Sequence, residues 1–369
     1  MMGELARRYP PQSLIVSTGS YEDSAPSDAR FPQPIDRLGI RATRLRTVQG
    51  LALWSWRASA LAKRWKPGFT WCAELKPAGY PARWVKARRG VPYGVVTYGT
   101  ELLLIEEKIR RSRFKRGTAA SLLGQAAVIV AISRWTAELA RRVLEPLELQ
   151  IPIETVPLGT TPSHFRPGLD TRAVRAKYGL DGGVPWLLTV ARLQWHKGID
   201  TVMNALPRVR AAHPGTRYAV VGTGEWREDF EKLRDSLGLG DAVRFLGAVS
   251  DDELPAIYNA ADLYVGASRR VELLAEGFGI SLVEASACGL AVVGGRSGGV
   301  PDAVREGETG ILVDSDDPAA VAAGINDLLA NPERRKQLGA AGRKAVEEFY
   351  NWDRVARDLI EIDRRYRSA

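Results

Sequence analysis

The chain has 369 residues, enough for two domains of ordinary size. Hydrophobic residues make up 45% and charged residues 26%, as in soluble globular proteins, while two cysteines and three histidines exclude a disulfide framework and leave no obvious metal cluster. So few cysteines fit a reducing cytoplasm, where we expect the protein, and no segment reaches the ~20 apolar residues of a spanning helix.

The net charge of +9 is unevenly distributed along the chain. Residues 1–167 carry 26 Lys and Arg against 13 Asp and Glu, whereas residues 168–369 carry 26 against 30. A basic half fits nucleic acid, an anionic membrane surface or an anionic substrate. None of the common nucleic-acid-binding motifs is present, so we expect no nucleic-acid partner.

The first half alternates short apolar strands with helices. The predicted strands cover residues 13–18, 43–45, 69–73, 93–97, 127–132 and 153–156, and the predicted helices cover 3–9, 51–65, 80–89, 113–125 and 134–144. This alternation is typical of a parallel sheet with helices on both faces. The segment 157–167, with three prolines and a glycine, predicts a linker.

The same alternation restarts after the linker. The predicted strands cover 186–190, 218–221, 243–246, 263–265, 291–293 and 310–313, and the predicted helices cover 198–211, 227–237, 252–259, 280–288, 318–329, 332–349 and 352–366. The sequence therefore predicts an α/β protein with two doubly wound, Rossmann-like domains. We place them at 1–160 and 171–350, with a linker at 161–170 and a C-terminal helix at 351–369 that packs back towards the first domain.

The segment Glu276-Gly-Phe-Gly-Ile-Ser-Leu-Val-Glu284 is the strongest candidate for a functional site. A helix that begins just after Gly279 would point unpaired backbone N–H groups out of the turn, and such an end attracts phosphate. A carboxylate on either side of the turn suits the paired hydroxyls of a sugar. The alternative is a surface turn with two solvated acids, and the segment alone does not decide between them.

Two cations follow the predicted strand 186–190. Arg192 and Lys197 would form a clamp for a diphosphate beside a helix start, although two solvated surface cations are the plainer alternative. Gly222 and Gly224 follow the next strand and would let a ligand approach the backbone. That signal is weak, because Arg227 stands where a dinucleotide fingerprint has its third glycine.

Taken together, the segments 191–198, 221–224, 245–247, 276–284 and 297–302 give the chain a family resemblance. It resembles the retaining glycosyltransferases of family 4, whose GT-B fold places two Rossmann-like domains across a cleft. Around residues 296–303 it is most similar to the mannosyltransferases that build phosphatidylinositol mannosides. The resemblance implies a hexosyltransferase that uses a nucleotide sugar, GDP- or UDP-hexose, as its donor.

The resemblance also implies a role for each site residue. Arg192 and Lys197 would hold the diphosphate, Glu276 would contact hydroxyls of the transferred sugar, and Glu284 would bind the ribose diol. Backbone of the glycine-rich loops would line the donor site at Gly222, Gly224, Gly277, Phe278, Gly279 and Ile280. It implies neither a metal nor a cofactor, and it implies a glycan or lipid-linked acceptor.

Two features depart from the family pattern. Family members usually have a histidine near the sugar in the first domain, where this chain has Tyr98, whose alternative role is that of a packed loop tyrosine. The family also opens with a strand and a glycine-rich loop, and this chain begins after both. Three functions therefore stay open: a hexosyltransferase, with mannose from GDP-mannose as the best guess, a nucleotide-sugar-binding protein without turnover, and, disfavoured, a dehydrogenase.

Five tryptophans lie between Trp54 and Trp84 among basic residues. A basic helix with aromatic anchors suits the surface of an anionic bilayer, which predicts peripheral association with the inner face of the cell membrane. The alternative is that the tryptophans fill the core of the first domain.

Overall fold

The computed structural model describes residues 2–20, 28–29 and 31–367. The chain divides into two compact units, one formed by Met1–Val156 with Trp352–Ala369 and the other by Pro157–Asn351. Residues 161–170, which the sequence suggests as a linker, belong to the second unit, and the C-terminal helix belongs to the first.

The first unit begins with strands and helices that alternate along the chain, and the following elements have their bounds within the described residues. The strands are Val16–Ser20 (β1), Ile35–Arg41 (β2), Thr70–Cys72 (β3), Tyr93–Thr97 (β4), Val128–Ala131 (β5) and Ile153–Thr155 (β6). The helices are Met2–Arg8 (α1), Val48–Trp65 (α2), Gly79–Arg89 (α3), Thr100–Arg111 (α4), Arg113–Leu123 (α5) and Arg134–Leu144 (α6). All pairings between these strands are parallel.

The strands of the first unit form two sheets, where the sequence predicts one. One sheet has the order β1-β2 and the other β3-β4-β5-β6, and among the described residues no strand pairs with both. The strand predicted at 43–45 is wrong, because Ala42–Arg46 forms a 3-10 helix. The strand β2 was not predicted, because its charged residues interrupt the apolar pattern of a buried strand. One of them, Asp36, is buried and forms an ion pair with Arg57 of α2, which compensates its charge.

The second unit contains six strands and eight helices. The strands are Trp186–Val190 (β7), Arg217–Val221 (β8), Val243–Gly247 (β9), Leu263–Gly266 (β10), Val292–Gly295 (β11) and Gly310–Val313 (β12). The helices are Arg172–Tyr178 (α7), Ile199–Ala212 (α8), Arg227–Ser236 (α9), Leu254–Ala260 (α10), Ile280–Ala287 (α11), Val300–Ala303 (α12), Pro318–Ala330 (α13) and Pro332–Glu348 (α14). The final helix, Trp352–Tyr366 (α15), returns to the first unit.

The sheet of the second unit is parallel throughout and has the order β12-β11-β10-β7-β8-β9. The sequence predicts a doubly wound parallel sheet, and this is one, although the order of its strands was not predicted. From β7 the chain continues to β8 and β9 on one side of the sheet, and from β10 it continues to β11 and β12 on the other side. The connections after β7 and after β10 therefore lead in opposite directions. In such sheets the crevice beyond the carboxyl ends of the two central strands is where ligands bind.

The central strands β7 and β10 carry apolar side chains that are buried in the core of the second unit. Leu187 of β7 and Val265 of β10 are fully buried in one core with residues from α8 and α13, which cover the sheet. Buried on both faces, each strand is a short apolar run without alternation. Within the described part of the chain, no helix is long and apolar enough to cross a membrane.

Candidate functional site

The predicted cations and the predicted carboxylate meet at this crevice. Arg192 and Lys197 follow the end of β7, and Glu276 lies in the loop that follows β10. Because β7 and β10 pair directly in the sheet, with Leu187 opposite Leu263, their carboxyl ends lie side by side. The strand order thus brings together residues that are distant in sequence.

A tight turn fixes Lys197. Trp195–Lys197 forms a 3-10 turn, and Gly198 follows it with φ 68° before α8 begins. A Cβ at Gly198 would lie 1.8 Å from the carbonyl oxygen of Ala267, so only glycine fits there. The Arg269 N–H donates to the His196 carbonyl oxygen at 2.8 Å. The turn after β7 is therefore fastened to the loop after β10.

Lys197 and Glu276 form an ion pair. Lys197 Nζ lies 2.7 Å from Glu276 Oε2, and the two side chains are only 15% and 20% exposed. Ser268 Oγ lies 3.5 Å from the same carboxylate oxygen. Burial raises the pKa of Glu276, but the Lys197 ammonium and its hydrogen bond, together with His196 and the Phe278 backbone, outweigh burial, so the pKa is lowered and the carboxyl is ionised at neutral pH.

Glu276 lies in a glycine-rich turn that leads into α11. The Phe278 side chain is buried, and its backbone N–H helps to lower the pKa of the Glu276 carboxyl. Gly279, with φ 100°, precedes α11. The backbone N–H groups of Gly279 and Ile280 have no acceptor among the residues described. Such amides at the start of a helix suit an anionic ligand. Gly277 adjoins Glu276 in this turn and is buried.

Glu284 lies on the first turns of α11 and faces a buried tyrosine. The Tyr258 hydroxyl, in a fully buried side chain, donates to Glu284 Oε2 at 2.8 Å. Burial raises the pKa of Glu284 to about 7, although this hydrogen bond opposes the shift. Glu284 is thus a partly satisfied carboxylate rather than a solvated surface acid.

Gly222 and Gly224 have a structural reason to be glycines. A Cβ at Gly222 would lie 2.0 Å from the Ala191 carbonyl oxygen, and one at Gly224 would lie 2.4 Å from that of Leu193. The Leu193 N–H also donates to the Thr223 carbonyl oxygen at 3.0 Å. The loop after β8 therefore packs on the loop that carries Arg192. Close approach of a ligand to these glycines stays a prediction.

Arg192 is exposed, and no acidic side chain among the described residues pairs with it.

A second arginine at the site, Arg269, is held by hydrogen bonds to neighbouring side chains and was not predicted from the sequence. Arg269 donates to both Asp200 oxygens at 2.9 and 2.6 Å and to Thr201 Oγ1 at 2.8 Å. Its position could have suggested Arg269 from the sequence, because Arg269 follows the end of β10 just as Arg192 follows the end of β7. Its partner Asp200 lies in the first turn of α8.

Tyr98 belongs to the first unit, where it follows β4. Its backbone N–H donates to Glu101 Oε1. Burial, then the nearby carboxylates of Glu101 and Glu74, raise the pKa of its hydroxyl well above the ordinary value. Tyr98 is therefore a neutral group beside two acids, and its contact with a sugar stays a prediction.

Across residues 2–20, 28–29 and 31–367, no group of three or more His, Cys, Asp or Glu is arranged to hold a metal.

Comparison with known proteins agrees with this geometry. The pattern of the family described as glycosyl transferases group 1 matches residues 170–345. The GDP-mannose-dependent alpha-(1-6)-phosphatidylinositol monomannoside mannosyltransferase of Mycolicibacterium smegmatis is 34% identical over 293 residues, which cover 79% of this chain and 74% of that protein. The protein of the same name from Mycobacterium tuberculosis is 37% identical over 213 residues, and the chain spans only 55% of its length.

Solved structures show the same fold. A glycosyltransferase from Rickettsia africae superposes with a TM-score of 0.81 over 98% of this chain and 93% of that one, at 16% identity. Anabaena HepE, solved with UDP and glucose, superposes with a TM-score of 0.78 over 98% of this chain and 94% of that one, at 17% identity. The doubly wound sheet, its switch-point residues and these relatives lead to one conclusion: the chain belongs to the group 1 glycosyltransferases and has their GT-B fold.

Proposed function

We propose that the protein transfers mannose from GDP-mannose to a lipid-linked or glycan acceptor, with retention of the anomeric configuration and without a metal. The observation that carries the proposal is the Lys197–Glu276 ion pair at the switch point, 2.7 Å long, near the backbone N–H groups of Gly279 and Ile280, which have no acceptor among the described residues. The mannose donor is supported by the mycobacterial relatives, whose names specify GDP-mannose.

The clamp residues supply the electrostatic part of the reaction. When the bond between the anomeric carbon and the diphosphate breaks, negative charge grows on the leaving diphosphate. Arg192 and Lys197 stabilise that charge, together with the backbone N–H groups of Gly279 and Ile280. These fixed positive groups do what a magnesium ion does in other sites, so the mechanism requires no metal.

Glu276 orients the transferred sugar. Its carboxylate is ionised and held by Lys197, so it accepts hydrogen bonds from sugar hydroxyls. Glu284 accepts those of the ribose. The acceptor hydroxyl attacks the face from which the diphosphate leaves, and a diphosphate oxygen takes its proton. The new glycosidic bond thus keeps the configuration of the donor, and no side chain of the protein acts as nucleophile.

The acceptor side of the proposal depends on the first unit, which carries the positive charge of the chain. Its exposed apolar side chains lie on helices or beside them: Val48, Leu53, Trp56, Trp65, Trp84, Leu104 and Phe114. Basic residues accompany them, and the Arg88 guanidinium lies 4.5 Å from the Trp84 ring centre. Such a surface suits an anionic bilayer, so we place the protein at the inner face of the membrane, beside a lipid-linked acceptor.

A nucleotide-sugar-binding protein without turnover is the second candidate. The observation that favours it is Tyr98, half-buried beside Glu74 and Glu101 at the place where the family resemblance expects a histidine. A tyrosine with a raised pKa donates a hydrogen bond but stays protonated near neutral pH, so it does not act as a base there. Donor binding without transfer would distinguish this function from the first.

One assay separates the two. The protein is incubated with GDP-mannose, GDP-glucose or UDP-glucose and with vesicles that contain phosphatidylinositol, and nucleotide release is followed beside mass analysis of the lipid. We expect a mannosylated lipid from GDP-mannose, with an α linkage by NMR. Donor-induced thermal stabilisation without any product from any donor would favour the binding protein. Neither stabilisation nor product would overturn both.

A further inference from the structure

His196 lies at the centre of the candidate site and has no assigned role. Its side chain is only 3% exposed, in the turn Trp195–Lys197, directly before the lysine of the clamp. Its Nδ1 is enclosed and lacks a hydrogen-bond partner in the part of the chain that the structure describes. Buried polar atoms without partners are rare in folded proteins, so a histidine kept in such a place calls for a reason other than stability.

Charged groups surround the ring. The cations of Lys197, Arg192 and Arg269 and the carboxylate of Glu276 all act on it. Burial, and next the charge of Lys197, lower the pKa of His196 to about 4. The imidazole is therefore uncharged at neutral pH, and an uncharged imidazole has one N–H donor and one acceptor nitrogen.

The surroundings of the two ring nitrogens decide where the proton lies. An N–H at the enclosed Nδ1 would have no acceptor, whereas Nε2 is neither enclosed without a partner nor hydrogen-bonded to any described residue. The proton consequently belongs on Nε2. The ring then has one neutral N–H donor, in the turn that follows β7 and ends at Lys197.

We propose that His196 donates a hydrogen bond from Nε2 to a diphosphate oxygen of the bound nucleotide sugar. This inference rests on the proposed function and adds an uncharged donor to the two cations of the clamp. An uncharged donor contacts phosphate without repelling Lys197, and the hydrogen bond from the Arg269 backbone N–H to the His196 carbonyl oxygen fixes the backbone that carries the ring. A phosphate oxygen is a strong acceptor for such a donor.

Three substitutions test the position of this donor. In His196→Gln the amide nitrogen replaces Nε2, in His196→Asn it replaces Nδ1, and His196→Phe has no donor. Calorimetry with GDP and with GDP-mannose at pH 7.5 should give a Kd about tenfold or more higher for the Phe and Asn variants, and within about threefold of wild type for Gln. Melting without ligand should be no lower for Phe than for wild type, because Phe removes the enclosed nitrogen. Should Phe fail to fold, His196→Leu takes its place.

Two results would overturn the inference. One is an unchanged Kd in the Phe or Leu variant, which would make the ring a spacer. The other is an equal loss of affinity in the Gln and Phe variants, which would make its role one of packing. Failure of the proposed function is a different result, since wild type itself would then bind neither GDP nor GDP-mannose.

Discussion

Lys197 Nζ lies 2.7 Å from Glu276 Oε2, although the two residues are 79 positions apart in the sequence. The pair joins the loop after β7 to the loop after β10, and the Lys197 ammonium lowers the pKa of the largely buried Glu276 carboxyl. A bound nucleotide sugar would offer each group a second partner, a diphosphate for the lysine and hydroxyls for the glutamate. The site is therefore preorganised before the donor arrives.

Replacing Glu276 should abolish transfer and spare nucleotide binding. In Glu276→Ala the contact with the sugar is lost, whereas Glu284 still binds the ribose, so turnover should fall on the order of 10²–10³-fold while the Kd for GDP changes little. Steady-state assays with GDP-mannose and calorimetry with GDP measure the two effects. Unchanged turnover would remove Glu276 from the reaction.

The ion pair also makes a prediction about stability. Lys197→Met leaves the Glu276 carboxylate buried without its partner, which should cost on the order of 2–3 kcal/mol of unfolding free energy. The double variant Lys197→Met with Glu276→Gln has no uncompensated charge and should recover most of that loss without recovering activity. Denaturant titrations of the single and double variants give the coupling. Strictly additive losses would mean that the pair does not exist in solution.

Arg192 should behave differently from Lys197, because it is exposed and unpaired among the described residues. Arg192→Ala should leave the melting temperature unchanged and weaken GDP binding by roughly tenfold, the size of one charge-assisted contact. Binding of GMP should fall much less. Arg208→Ala, an exposed arginine further along α8, is the matched control and should bind GDP like wild type. An equal loss for GMP and GDP would show that Arg192 does not contact the second phosphate.

Glu284 should make stability depend on pH. Its pKa is about 7 when folded against an ordinary 4.5, so the folded protein holds this proton more tightly than the unfolded chain. The stability from this group is complete below about pH 4.5 and declines as pH rises towards 7. Glu284→Gln should therefore match wild type near pH 5 and be more stable at pH 8. Glu276, with its lowered pKa, loses its contribution only as pH falls below the ordinary value, outside this window.

The same carboxylate should couple donor binding to pH. Ribose hydroxyls donate to an ionised carboxylate, so binding of GDP-mannose should tighten as pH rises from 6 to 8. The diphosphate of a nucleotide sugar does not titrate in this range, which separates the effect from that of free GDP. Calorimetry at several pH values should show the slope in wild type and a flat profile in Glu284→Gln. A slope that survives in the variant would have to come from another group.

The motifs at Arg192, Lys197 and Glu276 could be found from the sequence because each follows an apolar strand, and the carboxyl ends of parallel strands converge. The ion pair could not be found, since it depends on the strand order that makes β7 and β10 neighbours. His196 and Tyr258 were missed for the same reason: their roles come from burial and from partners on other elements. In the first unit, β2 escaped prediction because tertiary ion pairs, such as Asp36 with Arg57, stabilise a strand rich in charge.

The tryptophans of α2 give a test of membrane association with an internal control. Trp56 is 67% exposed and Leu53 lies one turn before it on the same side of the helix, whereas Trp54 is 8% exposed and its Nε1–H donates to Ser17 Oγ at 3.0 Å. Trp56→Ser should therefore weaken sedimentation with vesicles of anionic lipid and leave the melting temperature unchanged. Trp54→Ala should lower unfolding free energy by about 3–5 kcal/mol, as for other large buried aromatic residues.

Salt dependence completes this test. Because Lys63 and Arg64 lie in the last turn of α2, binding to anionic vesicles should weaken between low and high salt, by about 1 kcal/mol for each cation that contacts the surface. Neutral vesicles should bind poorly at either salt concentration, and Lys63→Ala with Arg64→Ala should flatten the salt dependence. Equal sedimentation with neutral and anionic vesicles, or none with either, would remove the membrane surface from the proposed function and leave an acceptor in solution.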